Sequence, residues 1–269
     1  MSQTSSQSNQ EKKALVQDYF SRTASGYVSS AVLRSSSDLT RLVEMGEWQA
    51  QHHALDIATG GGHTALAVAP HVTRITVTDL TPVMLEAARA FLIAQGVTNA
   101  EFQRADAEDL PFAEASFDRV TCRIAPHHFP DVGKAVQEVA RVLKPGGLFL
   151  LIDNIAPSDA VLDTFCNTVE KWRDPSHVRA YTQEEWQSFF AQAGLLIDEA
   201  ETFRKTHNYD DWTALAQLPA TEKAVLEAYI LASEESIRRY FAVNVCDDGH
   251  LKDFTRDTLL LKGRKKLAS

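Results

Sequence analysis

The residues best equipped for chemistry stand at the ends of successive apolar runs in the first half of the chain. Leu55-Asp56-Ile57-Ala58-Thr59-Gly60-Gly61-Gly62-His63 passes from such a run into a glycine turn, where backbone N–H groups can approach a ligand closely. Gly60-Gly61-Gly62-His63-Thr64-Ala65 satisfies the G-x-G-x-x-A form of a nicotinamide-cofactor loop. Asp56, four residues before Gly60, argues the other way, because a carboxylate at a strand end repels a pyrophosphate and suits a cation. Asp79 stands seventeen residues after Gly62, where an acid can accept two hydrogen bonds from a ribose diol. Asp106, beyond the third run, can accept from an exocyclic amine such as adenine N6, and the Ala107 N–H can meet the ring nitrogen beside it. One such acid alone reads as a helix cap or a solvated loop residue, whereas three at successive strand ends read as a site.

A fourth cluster is Thr121-Cys122-Arg123-Ile124-Ala125-Pro126-His127-His128-Phe129. Adjacent histidines point in different directions, so this is not a metal motif and no metal is expected. Each histidine reads either as a general base, the usual role of imidazole near neutral pH, or as a hydrogen-bonded structural residue. Arg123 reads either as part of the acceptor chemistry or as the partner of a carboxylate such as Asp118 or Asp153.

The elements that must position these residues alternate. Strands are predicted at residues 54–57, 74–78, 100–104, 117–121 and 148–152, and helices at 63–69, 82–95 and 131–143, the last stopped by Lys144-Pro145-Gly146-Gly147. This alternation implies an α/β fold with an open, mostly parallel, doubly wound sheet carrying helices on both faces. Before it, residues 11–51 carry apolar residues at helical spacing, with interruptions near Gly26 and at Ser35 to Ser37. After it come a helix at 182–193, a strand at 195–202, a long helical stretch at 211–241 and a strand at 255–262. The two late strands bring the sheet to seven, and the stretch between them forms a helical cap.

Composition bounds the rest. The 269 residues are 44% hydrophobic and 23% charged, enough for one full-sized domain. Residues 1–10 hold almost nothing apolar and read as a disordered tail, followed by a single domain over 11–269. Its parts are a helical lid (11–50), a cofactor-binding core (51–155) and substrate-side helices with the sheet edge (156–269). Cys122, Cys166 and Cys246 lack any CxxC spacing and read as free thiols. With no apolar leader and no span of about 18 apolar residues, the expectation is a cytoplasmic protein. A net charge of -9 disfavours nucleic acid and anionic membrane as partners. The oligomeric state is left open.

Taken together, Asp56-x-x-x-Gly60-x-Gly62, Asp79, Asp106 through Phe112, Ser116-Phe117-Asp118-Arg119-Val120 and Leu143-Lys144-Pro145-Gly146-Gly147 resemble the class I S-adenosylmethionine-dependent methyltransferases. The branch most similar contains ubiquinone and menaquinone C-methyltransferases and many small-molecule enzymes, with a Rossmann-like sheet. The resemblance implies S-adenosylmethionine as cofactor and S-adenosylhomocysteine as its product. It implies that Asp56 orients the amino group of the methionine part, directly or through water, that Gly60 and Gly62 bring backbone against the cofactor, and that Asp79, followed by Leu80, holds the ribose. Asp106 and Ala107 would then read the adenine. It also puts Arg123, His127 and His128 beside the transferable methyl group, and Tyr27, with Tyr19 and Phe20, over the cofactor. One departure stands out: Ala58 occupies a position where the family often has glycine.

The acceptor is expected to be a small organic molecule, aromatic or apolar, given the aromatics Trp172, Tyr181, Trp186, Phe189, Phe190, Trp212, Tyr229, Tyr240 and Phe241. For Trp186, Phe189 and Phe190, on one helix, the spacing points more strongly to a second small core. Oxygen, carbon and nitrogen acceptors all stay open. The competing readings are a nicotinamide-dependent oxidoreductase, a methyltransferase of RNA or protein, and a binding protein that keeps the fold without catalysis.

Overall fold

The computed structural model describes residues 2–29 and 36–267. Five parallel strands form its centre: β1 (His53–Ile57), β2 (Arg74–Asp79), β3 (Ala100–Arg104), β4 (Phe117–Arg123) and β5 (Leu143–Asn154). The antiparallel pair β6 (Leu195–Asn208) and β8 (Leu251–Lys265) extends the sheet at one edge, giving the order β3-β2-β1-β4-β5-β8-β6. A two-residue strand, β7 (Asn244–Val245), pairs with β8 outside the seven strands expected.

Strand order reverses between β1 and β4, which opens a crevice above their carboxyl ends where ligands of such sheets bind. The helices that cross between parallel strands leave both faces covered. On one face α2 (Ser37–Met45), α3 (His63–Val68) and α4 (Pro82–Ala94) bury Leu42, Ala65, Leu85 and Leu92 against Ile75, Val77, Leu150 and Ile152. On the other, α5 (Val132–Val142) and α7 (Gln183–Gln192) bury Val136, Val139, Trp186 and Phe190 against Leu55, Val120, Phe149 and Leu151. Near-continuous apolar runs in β1, β4 and β5 are what a strand covered on both faces requires.

Several expectations change. Helix α1 (Ser2–Ser29) carries through both the segment read as a disordered tail and the break expected at Gly26. Residues 2–25 contain neither glycine nor proline to stop it, and residues 7–10 are largely exposed. Val32 and the start of the Ser35 run lie outside the described residues. The stretch read as one helix over 211–241 is three: α8 (Tyr209–Leu215), α9 (Ala220–Leu231) and α10 (Glu235–Tyr240). Gln217, with φ of 53°, and Pro219 divide the first two.

A further helix, α6 (Ala160–Arg173), capped by the Asp159 side chain, was not predicted. Together α6, α8, α9 and α10 build a second core of Phe165, Tyr209, Trp212, Leu226, Phe241 and Phe254. Thus Trp212 and Phe241 form the satellite core, while Trp186 and Phe190 belong to the main one. Among the described residues no helix is long and apolar enough to cross a membrane.

Candidate functional site

The loops after β1, β2, β3 and β4 converge on a cleft partly open to solvent, and α1 forms its opposite wall. From the sheet side come Ala58, Gly60, Gly61, Asp79, Leu80, Asp106, Ala107, Arg123 and His128; from α1 come Lys13, Val16, Phe20 and Tyr27. The cleft therefore gathers most of the residues singled out from sequence. It omits Asp56, Gly62 and His127, and none of the later aromatics lines it.

Asp56 is 1% exposed and turned into the protein, its carboxylate accepting the Thr59 and Thr121 hydroxyls at 2.6 Å each. Burial pushes its pKa up to about 6 against the lowering effect of those two hydroxyls. Asp56 thus braces the β1 loop from beneath and does not line the cleft. Gly62 heads α3 at φ 83°, where a Cβ would press on Ala88 and Phe91 at 3.4 Å, so it serves packing. The close approach belongs to Gly61, overlooked in the sequence reading: a Cβ there would lie 2.7 Å from the Tyr27 carbonyl. Ala58 adopts φ 52°, the left-handed conformation that favours glycine, and this accounts for the family's preference at that position.

Asp79 faces the cleft. Its Oδ2 accepts the Gly60 N–H at 3.1 Å and its Oδ1 the Thr81 N–H at 2.8 Å, so one carboxylate holds two loops. Burial raises its pKa to about 6 despite those N–H bonds. Asp106 Oδ1 accepts the Glu108 N–H at 3.0 Å, and its Oδ2 lies 2.7 Å from Lys13 Nζ. The neighbouring Ala107 N–H donates to no protein atom among the described residues.

Arg123 lines the cleft, but its guanidinium is held by neither Asp118 nor Asp153. Its Nε donates to Asp38 Oδ2 at 2.9 Å and its Nη2 to the Ser36 hydroxyl at 2.6 Å. Asp38, fully buried, also takes Lys205 Nζ at 2.8 Å. Burial alone would raise the Asp38 pKa, but the two cations outweigh it and hold the carboxyl well below its ordinary range. Asp118 instead pairs with Lys144 and accepts the His53 N–H.

The two histidines part company. His127 lies behind the wall, with Nδ1 donating to Asp153 Oδ1 at 2.6 Å. His128 forms part of the wall, edge to face with Phe20 at 5.0 Å. Ser176 donates its hydroxyl to Asp174 at 2.5 Å and lies 3.2 Å from His128 Nδ1, while His128 Nε2 stands 3.9 Å from the other oxygen of that carboxylate. Burial, reinforced by repulsion from His127, lowers the His128 pKa to about 3. The ring is neutral at physiological pH and a weak base.

The cleft suits a long ligand with a polar adenosine-like end and a cationic end. Asp79 and Asp106 offer acceptors, Ala107 a donor, Gly61 a backbone with no room for a side chain, and Leu80 and Met84 apolar flanks. Phe20 and Tyr27 present ring faces and edges near the loop after β4, where a cation is favoured.

Comparison with known proteins agrees. Residues 55–151 match the family described as "Methyltransferase domain". YcgJ of Bacillus subtilis (strain 168), an uncharacterized methyltransferase, is 39% identical over 247 residues, covering 92% of this chain and 98% of that protein. The crystal structure of YcgJ superimposes with a TM-score of 0.83 over 86% of this chain and 99% of that one. The ubiquinone/menaquinone C-methyltransferase UbiE of Zymomonas mobilis subsp. mobilis is 35% identical over 153 residues, 54% of this chain and 62% of that protein. The family match ends at residue 151, before α6 begins at Ala160. This chain belongs to the class I S-adenosylmethionine-dependent methyltransferases, and it transfers methyl groups from that cofactor to a small organic acceptor.

Proposed function

We propose that the adenine of S-adenosylmethionine binds at Asp106 and Ala107, its ribose at Asp79, and its methionine part along Gly60 and Gly61 toward Arg123 and His128. The observation that carries this reading is that Asp79 and Asp106, from the ends of neighbouring strands, face one cleft together with the glycine backbone. When bound, the cofactor supplies an electrophilic methyl group on a sulfonium. The chain's part is to position and enclose. Asp79 accepts from the ribose hydroxyls while keeping the Gly60 and Thr81 N–H bonds that shape the loop. Phe20 and Tyr27 exclude water and face the cation with their rings.

The acceptor enters between α1 and the loop after β4, against Phe20, Tyr27, His128 and Phe129, a wall that suits an apolar or aromatic molecule. His128 orients it by a neutral hydrogen bond. Held neutral and weakly basic, that ring favours an acceptor that brings its own nucleophilic lone pair, such as an amine, a phenolate or a thiolate. His127, fixed by Asp153, supports the backbone turn and is a positioning residue. Positioning of the acceptor in line with the methyl group then does much of the catalytic work. The three free cysteines suit a cytoplasmic site of action.

The test is isothermal titration of one preparation with S-adenosylmethionine, S-adenosylhomocysteine and NADH. Binding of the two adenosyl ligands alone supports the placement and justifies an acceptor screen over phenols, quinones, thiols and small amines. Binding of NADH alone removes it.

A further inference from the structure

We propose that Lys13 is a positioning residue of the methyl-transfer site, which by bridging Asp106 and Glu108 holds α1 across the cleft and sets Phe20 and Tyr27 at its reacting end. The proposal rests on the cofactor placement above.

Lys13 Nζ lies 2.7 Å from Asp106 Oδ2 and 2.5 Å from Glu108 Oε2. Glu108 is a fixed anchor: it is 3% exposed, and its other oxygen accepts the Asp131 N–H at 2.7 Å, at the start of α5. Burial opposes the Lys13 charge, but the two carboxylates together outweigh it and raise the ammonium's pKa. One turn further along α1, Gln17 Nε2 donates to the Leu80 carbonyl at 3.0 Å. This half of α1 is thereby tied to the loops after β2 and β3, the two that carry Asp79 and Asp106.

The helix transmits that tether. Lys13, Val16, Phe20 and Tyr27 all line the cleft, and their spacing of three, seven and fourteen residues puts them on one face. Lys13 and Tyr27 are separated by about 21 Å along the axis at the rise of an α-helix. At the far end the Tyr27 carbonyl meets His63 Nε2 at 3.0 Å, and the Phe20 ring packs on both Tyr27 and His128. Between these ends α1 buries Tyr19, Thr23 and Ala24 among the described residues and packs along α4, and the Lys13 and Gln17 bonds fix its position along that contact. Lifting α1 to widen the cleft for release breaks the Lys13 bridge.

The experiment follows release of S-adenosylhomocysteine by stopped-flow displacement. Lys13→Met, which keeps the aliphatic stem, is expected to speed release by about five- to twentyfold. Lys13→Arg restores the slow rate, and Glu108→Gln reproduces the fast one. In the unaltered protein, release accelerates between about 50 mM and about 500 mM salt, whereas in Lys13→Met it does not respond. That salt response needs no variant and so stands apart from any folding defect. Lys12→Met, which removes an exposed neighbouring charge, leaves the rate unchanged. Unaltered or slower release from Lys13→Met, or release insensitive to salt in the unaltered protein, overturns the proposal. Slower release would mean that Lys13 competes with the ligand's amine for Asp106. If instead Asp79→Asn and Asp106→Asn leave S-adenosylhomocysteine affinity intact, the placement itself fails and takes the proposal with it.

Discussion

Asp79→Asn separates the ligand-binding role of this residue from its part in the fold. The substitution keeps the size and removes the charge. Asparagine offers one acceptor oxygen where Gly60 and Thr81 each present an N–H to a different carboxylate oxygen, so one N–H must face an amide NH2. Leaving one buried donor unsatisfied costs about 1 to 3 kcal/mol. Against this, the carboxyl pKa is raised to about 6, so burial of the charge itself weakens the fold at neutral pH. Stability falls as pH rises from the unfolded pKa near 4 to the folded value near 6, a loss of about 2 to 3 kcal/mol that the neutral amide avoids. The two effects nearly cancel, and the melting temperature of the ligand-free variant is expected within about 4 °C of the parent.

Ligand affinity has no such compensation. Replacing a charged acceptor of two ribose hydroxyls by a neutral one costs about 1 kcal/mol per bond, about thirtyfold in all. Titration calorimetry with S-adenosylhomocysteine at about pH 7.5 measures this, and a thermal melt of the same sample measures the first effect. Parental affinity also declines below about pH 6 as Asp79 protonates, and the variant's does not. A variant that binds within twofold of the parent refutes the assignment of Asp79 to the ribose.

Ala58→Gly relieves a left-handed alanine while loosening the unfolded chain, and a gain of about 0 to 1 kcal/mol is expected by denaturant melts. A loss larger than about 1 kcal/mol would show that the Ala58 methyl packs usefully. Asp38→Asn strands Arg123 and Lys205 in a buried site and should cost about 3 to 5 kcal/mol. Because folding lowers the Asp38 pKa, its stabilisation is complete above about pH 4 and is lost as pH falls further, so the variant's acid melting profile should be flatter there. His128→Ala is expected to keep S-adenosylhomocysteine affinity within about twofold while lowering turnover of a screened acceptor about tenfold or more. With its pKa near 3, His128 should add no inflection to the parent's rate profile between about pH 5 and 8, and an inflection that vanishes in the variant would make it a base.

The parallel core was legible because its signals are local. Apolar runs named the strands, Pro82 and the glycine stops bounded helices, and the acids announced themselves at strand ends. Side-chain direction was not legible. Asp56 and Asp79 both end strands, yet one turns inward to two threonines and the other toward the cleft, and nothing in their immediate neighbours distinguishes them. Asp38 was missed because its partner, Arg123, is 85 residues away and the serines around it resemble a loop. Lys13 was missed because a lysine on a polar helix reads as solvated. Trp186 and Phe190 had the right periodicity but the wrong neighbour, since periodicity names a buried face and not what covers it. The division of residues 211–241 into three helices carried a signal in Pro219 that the apolar rhythm obscured.

The cleft also has an order of assembly. Its contributing residues run from Lys13 to Pro130, so one wall leaves the ribosome well before the loops it will cover. At roughly 5 to 20 residues per second the interval is on the order of ten seconds, and an isolated helix is only marginally stable in water over that time. Glu11, Lys12, Lys13, Gln17, Asp18 and Arg22 keep most of the α1 surface polar while it waits, so that only a narrow stripe through Val16, Phe20 and Tyr27 needs covering. The same polarity that obliges α1 to be tied down by Lys13 and Gln17 in the finished protein keeps the nascent chain out of premature associations.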